Sequence, residues 1–426
     1  MAQGDSLNGS VPAAPSTGVS ATLRLRLSLM MLLQYMIWGA FWSVLSKYLG
    51  VLEFTGAQIG AVYGTTAVAS MISPLIFGQI ADRWVPTQYL LGALHLLGAA
   101  SLLLVTRFTG YSAVYGCVLA WALLYFPTIS LTNSLSFHQI SDVGRYFPGI
   151  RVFGTIGWIA AGWLVFNFGL DESSYQPILL AAGLSAVSGL YFLTLPHTPP
   201  SGKAGETFPA LRAIALLKDP SFAVFVFVSF LIAIVLAGYF VFTGPFLEHV
   251  GAKLGVSYMS HAAPLMTLGQ FSEMILLLML PFFLKHMGMK KTLLIGMGAW
   301  GLRYAIFSLG QPAWAVVGAI LLHGICYDFF FVAAYIHTDN QAGKDMRASA
   351  QAMFNFVVMG AGMLVGSVAF GGLFDHYSTE VVQAGEKVLQ TDWTTMWLYP
   401  AVGAVIALVI FALAFKPNKQ EPEPQA

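Results

Sequence analysis

Apolar positions along the 426-residue chain gather into long runs separated by short polar breaks. The runs lie at about 25–47, 57–81, 88–106, 111–137, 149–169, 176–195, 221–247, 262–284, 291–309, 313–337, 348–374 and 394–415. Each suffices for the roughly 20 residues that a helix needs to cross a bilayer. Open sheet edges cannot be satisfied in lipid, and the runs do not alternate as ten-residue strands, so helix is the expected state. The pattern predicts an all-α membrane protein with twelve transmembrane helices. Glycines such as Gly154, Gly157, Gly360, Gly362 and Gly366 stand at spacings that allow close helix packing.

Lysine and arginine set the orientation. With the N-terminus in the cytoplasm, the inner loops and tails hold Arg24, Arg26, Arg83, Arg145, Lys203, Arg212, Lys218, Lys285, Lys290, Lys291, Lys344, Arg347, Lys416 and Lys419. The outer loops hold only Lys47, Arg107, Lys253 and Lys387, while Arg151 and Arg303 fall within or at the edge of helices. Such a bias places both termini in the cytoplasm.

The longest inner connection, 196–220, divides the chain into six-helix bundles at 23–195 and 221–415. Within it, LRAIALLKDP reads as a short amphipathic helix lying at the interface. The tails 1–22 and 416–426 are polar and read as disordered, and the first lacks the basic region of a signal peptide.

Composition agrees: 57% of residues are hydrophobic and 9% charged, against roughly 25% charged in an ordinary soluble domain. A net charge of +1 argues against nucleic acid as a partner and leaves the lipid bilayer as the main one. Cys117 and Cys326 sit inside apolar runs and read as small hydrophobes, with no metal-binding spacing.

Polar side chains at mid-depth are costly unless paired or hydrated, so they mark candidate sites. The chain offers Glu273, Asp328, Arg151 and Arg303. Thr267, Gln270 and Glu273 follow one another at three-residue steps and share a helix face. Arg151, Thr155 and Trp158 form another stripe, while Gln34 with Trp38 and His323 with Tyr327 are four-apart pairs. Facing stripes of this kind can ring a cavity for a polar molecule with a flat ring: aromatics stack on it, and amides and acids supply donors and acceptors.

Plainer roles compete. Either acid could simply neutralise an arginine. Gln270 and Thr155 could hydrogen-bond between helices, and Trp38, Trp158 and Tyr327 could be packing residues. His323 could serve only a backbone carbonyl, and Arg303 reads as structural or directed at headgroups. Arg151 opens its helix at the positive dipole end, so it calls for an acid or a negative substrate group.

Two halves of six helices joined by an inner linker resemble the major facilitator superfamily. Gly78-Gln-Ile-Ala-Asp82-Arg83, after the second run, is similar to that superfamily's Gly-x-x-x-Asp-Arg gate signature, in which the Asp can cap a neighbouring helix. Lys285-His-Met-Gly288-Met-Lys290-Lys291 echoes it in the second half without the acid. Gly371-Gly-Leu-Phe-Asp375 falls on the outer side and reads as a helix end only.

A narrower resemblance lies in Arg151-Val-Phe-Gly-Thr155-Ile-Gly, Gln270-Phe-Ser-Glu273 and Tyr327-Asp328-Phe-Phe, with support from Gln34-Tyr-Met-Ile-Trp38-Gly, Gly60-Ala-Val-Tyr63, Tyr125-Phe-Pro127-Thr128, Arg347-Ala-Ser-Ala-Gln351 and Thr391-Asp392-Trp393. Together these resemble the nucleoside:proton symporter family. The resemblance implies a bacterial inner-membrane importer that needs no cofactor or metal and works as a monomer on nucleosides and protons. It places Arg151, Thr155, Gln270, Glu273 and Asp328 on positions that line the nucleoside site or couple it to protons, with Glu273 or Asp328 as the proton carrier. Trp158 and Tyr327 fall on substrate-contacting aromatics. The chain departs in two places. Its residues 231–243 contain no Asn or Gln, only Tyr239 and Thr243, and His323 stands at the family's tyrosine.

A proton-coupled permease for sugars or an exporter of amphiphiles fits the same stripes, as does a nucleoside sensor without flux. An intramembrane enzyme does not fit, because no His-Glu-x-x-His or Gly-x-Ser-x-Gly string and no metal cluster occurs.

Overall fold

A computed structural model describes residues 19–200, 209–343, 346–383 and 386–416. The extreme tails and Lys203, Lys344 and Lys419, which entered the orientation argument, lie outside the described residues.

The apolar runs form helices: α1 (Ala21–Phe41), α2 (Leu45–Val51), α3 (Gly56–Arg83), α4 (Thr87–Val105), α5 (Tyr111–Gln139), α6 (Val143–Asn167) and α7 (Gln176–Phe192) in the first half. After the short α8 (Pro209–Arg212) and a 3₁₀ turn at Ala213–Lys218 come α9 (Pro220–Leu254) and α10 (Ala262–Leu309). Then follow α11 (Ala313–Gln341), α12 (Arg347–His376) and α13 (Trp393–Ala414). Ten helical stretches among the described residues are long and apolar enough to cross a membrane. Gly288, at φ 75°, breaks α10 inside its 48 residues, where the sequence shows two runs. Only glycine adopts that conformation without strain.

Helix starts follow local chemistry. The Ser20, Asp142, Asp219 and Asp392 side chains accept first-turn amides of α1, α6, α9 and α13. Thr55 and Gln58 form a reciprocal capping box on α3. One connection departs from the helical expectation: Ser378–Gln383 and Glu386–Thr391 pair as an antiparallel hairpin, with Ser378 opposite Thr391.

Within the halves α1 packs on α6, α4 on α7 and α10 on α13. Between the halves α3 lies along α12 and α6 meets α10. The α3–α12 contact is backbone against backbone. A Cβ at Gly60 would lie 2.2 Å from the Ser367 carbonyl oxygen, and one at Gly371 2.3 Å from that of Gly56.

The hairpin end of this interface is tied by charge. The Asp375 carboxylate accepts the amides of Gly56 and Ala57, the first residues of α3, the latter at 2.8 Å. Glu172, 5% exposed, accepts the amides of Ala262 and Ala263, the first residues of α10, at 2.9 and 3.0 Å. Lys47 Nζ stands 3.1 Å from both Glu172 and Glu248. Two expectations are thereby corrected. Lys47 is a buried ion-pair residue in α2 rather than a loop cation, and Asp375 caps a helix of the other half besides ending its own. Neither relation is encoded locally, because the partners lie more than a hundred residues away.

Candidate functional site

A cavity of ≈ 150 Å³ lies between the halves. From the first half come Tyr35 and Trp38 of α1 and Arg151, Gly154, Thr155 and Trp158 of α6. The second half contributes Phe240 of α9, Gln270 and Glu273 of α10, and His323 and Tyr327 of α11. Helical spacing explains the grouping: residues three and four apart share a face, so Arg151, Thr155 and Trp158 turn inward together, as do Gln270 and Glu273. Thr267 of the expected stripe does not line the cavity and donates to the Pro264 carbonyl.

On the first-half wall, the Arg151 guanidinium lies 4.3 Å from the centre of the Tyr35 ring and donates to the Tyr35 hydroxyl at 2.8 Å. Trp38 and Trp158 meet edge to face at 5.2 Å. The Trp38 indole N–H is buried without a hydrogen-bond partner among the described residues.

On the opposite wall, the buried Gln270 leaves its Oε1 without a partner. Glu273 Oε2 is 3.9 Å from His323 Nε2. Glycine sets this approach of α10 to α11: a Cβ at Gly269 would fall 2.8 Å from His323 Cβ, and one at Gly324 2.7 Å from the Ser272 backbone. The His323 ring is stacked between Tyr239, at 5.1 Å, and Tyr327, at 5.6 Å. A donor left over on one wall and an acceptor left over on the other are what a hydrogen-bonding guest requires, since buried polar groups are normally paired.

Not every expected residue lines the cavity. Asp328 is wholly buried just beyond Tyr327, and neither carboxylate oxygen has a hydrogen-bond partner among the described residues. The chain there winds as a π-helix over Tyr327–Val332, a distortion that often marks functional stretches. Gln34 does not line the cavity. Its amide donates to Thr128 Oγ1 at 2.7 Å, and its Oε1 meets His95 Nε2 at 2.9 Å. Gly78, Asp82 and Arg83 end α3 away from the cavity, and Asp82 caps no helix among the described residues.

Arg303 is directed at neither headgroups nor an acid. Fully buried, it donates to the carbonyls of Ala319 and Ile320, lies over Tyr239 and Trp300, and places Nη1 3.3 Å from His323 Nδ1.

Sequence reasoning missed Tyr35 and Phe240. Tyr35 stands three residues before Trp38, so the helical spacing that singled out Trp38 also pointed to it. Phe240 carries no such signal. A second hollow of ≈ 710 Å³ opens at the hairpin end, lined by His249, Lys253, Asp392 and Trp393 among others, and holds none of the candidates. No three metal-ligating side chains converge among the described residues.

Comparison with known proteins matches residues 21–420 to a family described as Nucleoside H+ symporter. The chain is 38% identical to the putative nucleoside transporter YegT of Escherichia coli, over 93% of this chain and 94% of that one. It is 35% identical to the xanthosine permease of the same organism, over 94% and 98%. The crystal structure of the nucleoside transporter NupG superposes with a TM-score of 0.84 at 32% identity, over 93% of this chain and 100% of that one.

Proposed function

The chain belongs to the nucleoside H+ symporter family, and we propose that it imports nucleosides with protons by alternating access around the cavity between its halves. The observation that carries this reading is the division of the cavity. Arg151 and the tryptophans stand on one half and Gln270, Glu273 and His323 on the other, so a rocking of the halves opens or closes the site as a unit. Both walls come from one polypeptide, which supports a monomer as the working unit.

In this reading the chain spans the bacterial inner membrane twelve times. Gly288 divides α10 into two spans, and α7, at 17 residues, counts as another. The basic loops mark the cytoplasmic end, which makes the hairpin end the outer one and Glu172 and Asp375 parts of an outer latch. Asp375 at the end of the fifth span of one half and Glu172 just beyond the fifth span of the other then each cap the second span of the opposite half, a symmetric pair of clasps. Carboxylates are held at helix N-termini by free amides and the helix dipole. Both clasps must release for the outer side to open.

Within the cavity Arg151 stands on one wall and Glu273 on the other, and unlike charges so placed attract. A proton on Glu273 or Asp328 weakens that attraction or removes an unpartnered charge, and so couples the site's charge to its conformation. The cavity is small beside the roughly 300–1,000 Å³ of ordinary ligand sites, so Trp38, Trp158 and Tyr327 must turn aside when a nucleoside enters. The aromatic walls then stack on the base.

The test is uptake of radiolabelled uridine and inosine into proteoliposomes with and without an inward proton gradient. Gradient-dependent accumulation is expected. Folded protein that takes up neither nucleoside would sink this reading and turn attention to sugars and other ring compounds.

A further inference from the structure

Arg303 reaches the cavity wall only through His323. Its Nη1 lies 3.3 Å from His323 Nδ1, and its other nitrogens are spent on the carbonyls of Ala319 and Ile320. A guanidinium has only donors to offer. Nδ1 must therefore accept, and the imidazole proton must sit on Nε2. A doubly protonated ring would set two N–H groups against each other. The arginine cannot swing away, because it is wholly buried between Tyr239 and Trp300.

The consequence lies on the cavity side. Nε2 points toward Glu273 but stops 3.9 Å short, beyond hydrogen-bonding reach. It is thus an uncommitted donor on a wall where Gln270 Oε1 is an uncommitted acceptor. We infer that Arg303 is a positioning residue that fixes His323 as a hydrogen-bond donor, and that the site thereby selects nucleobases with a lactam edge, a carbonyl oxygen beside a ring N–H.

Such an edge matches the wall in order: its carbonyl accepts from His323 Nε2–H, and its ring N–H donates to Gln270 Oε1. Uridine and inosine carry it. Cytidine and adenosine carry an amino group beside an unprotonated ring nitrogen, which brings donor against donor and acceptor against acceptor. Leaving such groups unpaired in a buried site weakens binding by roughly 10–100-fold.

This inference rests on the nucleoside reading, and its failure is separable from failure of that reading. Binding of uridine, cytidine, inosine and adenosine to purified protein in detergent would be measured by competition with radiolabelled uridine. The wild type is expected to favour uridine over cytidine and inosine over adenosine by roughly tenfold or more. In Arg303→Met the ring can take either tautomer, and both ratios should fall below about threefold. Arg303→Lys keeps a donor for Nδ1 and should retain them.

An arginine that merely holds helices together would alter all four affinities alike and leave the ratios unchanged. That result overturns the inference. So does a wild type without preference among the four. If none of them binds, the nucleoside reading itself fails.

Should the variants not fold, ¹⁵N-imidazole spectra of wild-type protein decide, with His323→Gln marking the His323 signals. A protonated Nε2 with a bare Nδ1 supports the inference, and the reverse tautomer refutes it.

Discussion

The carboxylates of Glu172 and Asp375 each cap the first turn of a helix in the opposite half of the chain, Glu172 at Ala262 and Ala263 and Asp375 at Gly56 and Ala57. Each clasp uses one acid against two free amides. Together they close the hairpin end across the interface.

If these clasps hold the outer side shut, weakening them should populate the open form. Spin labels on Val51→Cys and Tyr258→Cys, both exposed at that end, report the gap in a background free of Cys117 and Cys326. Combining Glu172→Gln with Asp375→Asn removes the charge from both caps. Since hydrogen bonds to charged groups contribute about 1.5–3 kcal/mol, the long-distance population should rise roughly tenfold or more. An unchanged distance distribution would show that packing alone seals this end.

Two glycines separate conformational from folding effects. A methyl at Gly60 meets the Ser367 carbonyl of the other half, whereas a methyl at Gly157 meets the Leu32 carbonyl within the first half, 2.2 Å from its oxygen. Gly157→Ala should therefore lower the melting temperature in detergent, at a cost of about 1–3 kcal/mol. Gly60→Ala can relieve its clash by parting the halves, so it should lengthen the Val51–Tyr258 distance with a smaller loss of melting temperature. Equal thermal losses and no opening would contradict this division.

Glu273 and Asp328 are predicted to carry the proton coupling between them. Glu273→Gln and Asp328→Asn keep the shape and remove the titrating group. Each should reduce accumulation driven by a proton gradient at least tenfold, while exchange of labelled for unlabelled uridine, which needs no net proton movement, is retained in at least one variant. Gradient-driven accumulation intact in both would exclude the two acids as carriers.

Tyr35 orients Arg151 by its ring and its hydroxyl. Tyr35→Phe removes only the hydrogen bond and should weaken uridine binding severalfold, in keeping with about 1 kcal/mol per bond. Arg151→Lys loses the planar fork and its stacking, and should cost more than tenfold. A Tyr35→Phe protein with wild-type affinity would show that the ring alone positions the guanidinium.

Periodicity and composition alone determined that this is a helical membrane protein. Long apolar runs admit no other state in lipid, and the caps that the structure shows at Thr55–Gln58 and Asp392 are likewise local, made through neighbours three residues apart. The inward stripes of Arg151, Thr155 and Trp158 and of Gln270 and Glu273 were legible for the same reason: a helix face is a property of local spacing. Tertiary structure decided what depends on distant partners. It withdrew Gln34 to His95 and Thr128, set Asp328 behind the cavity wall and put Arg303 against His323. It turned Lys47 from a loop cation and Asp375 from a plain helix end into ties between the halves, and added Glu172 as a third. A sequence records the charge and spacing of such residues, but which helix end or ring nitrogen each one meets is fixed only when the halves pack together.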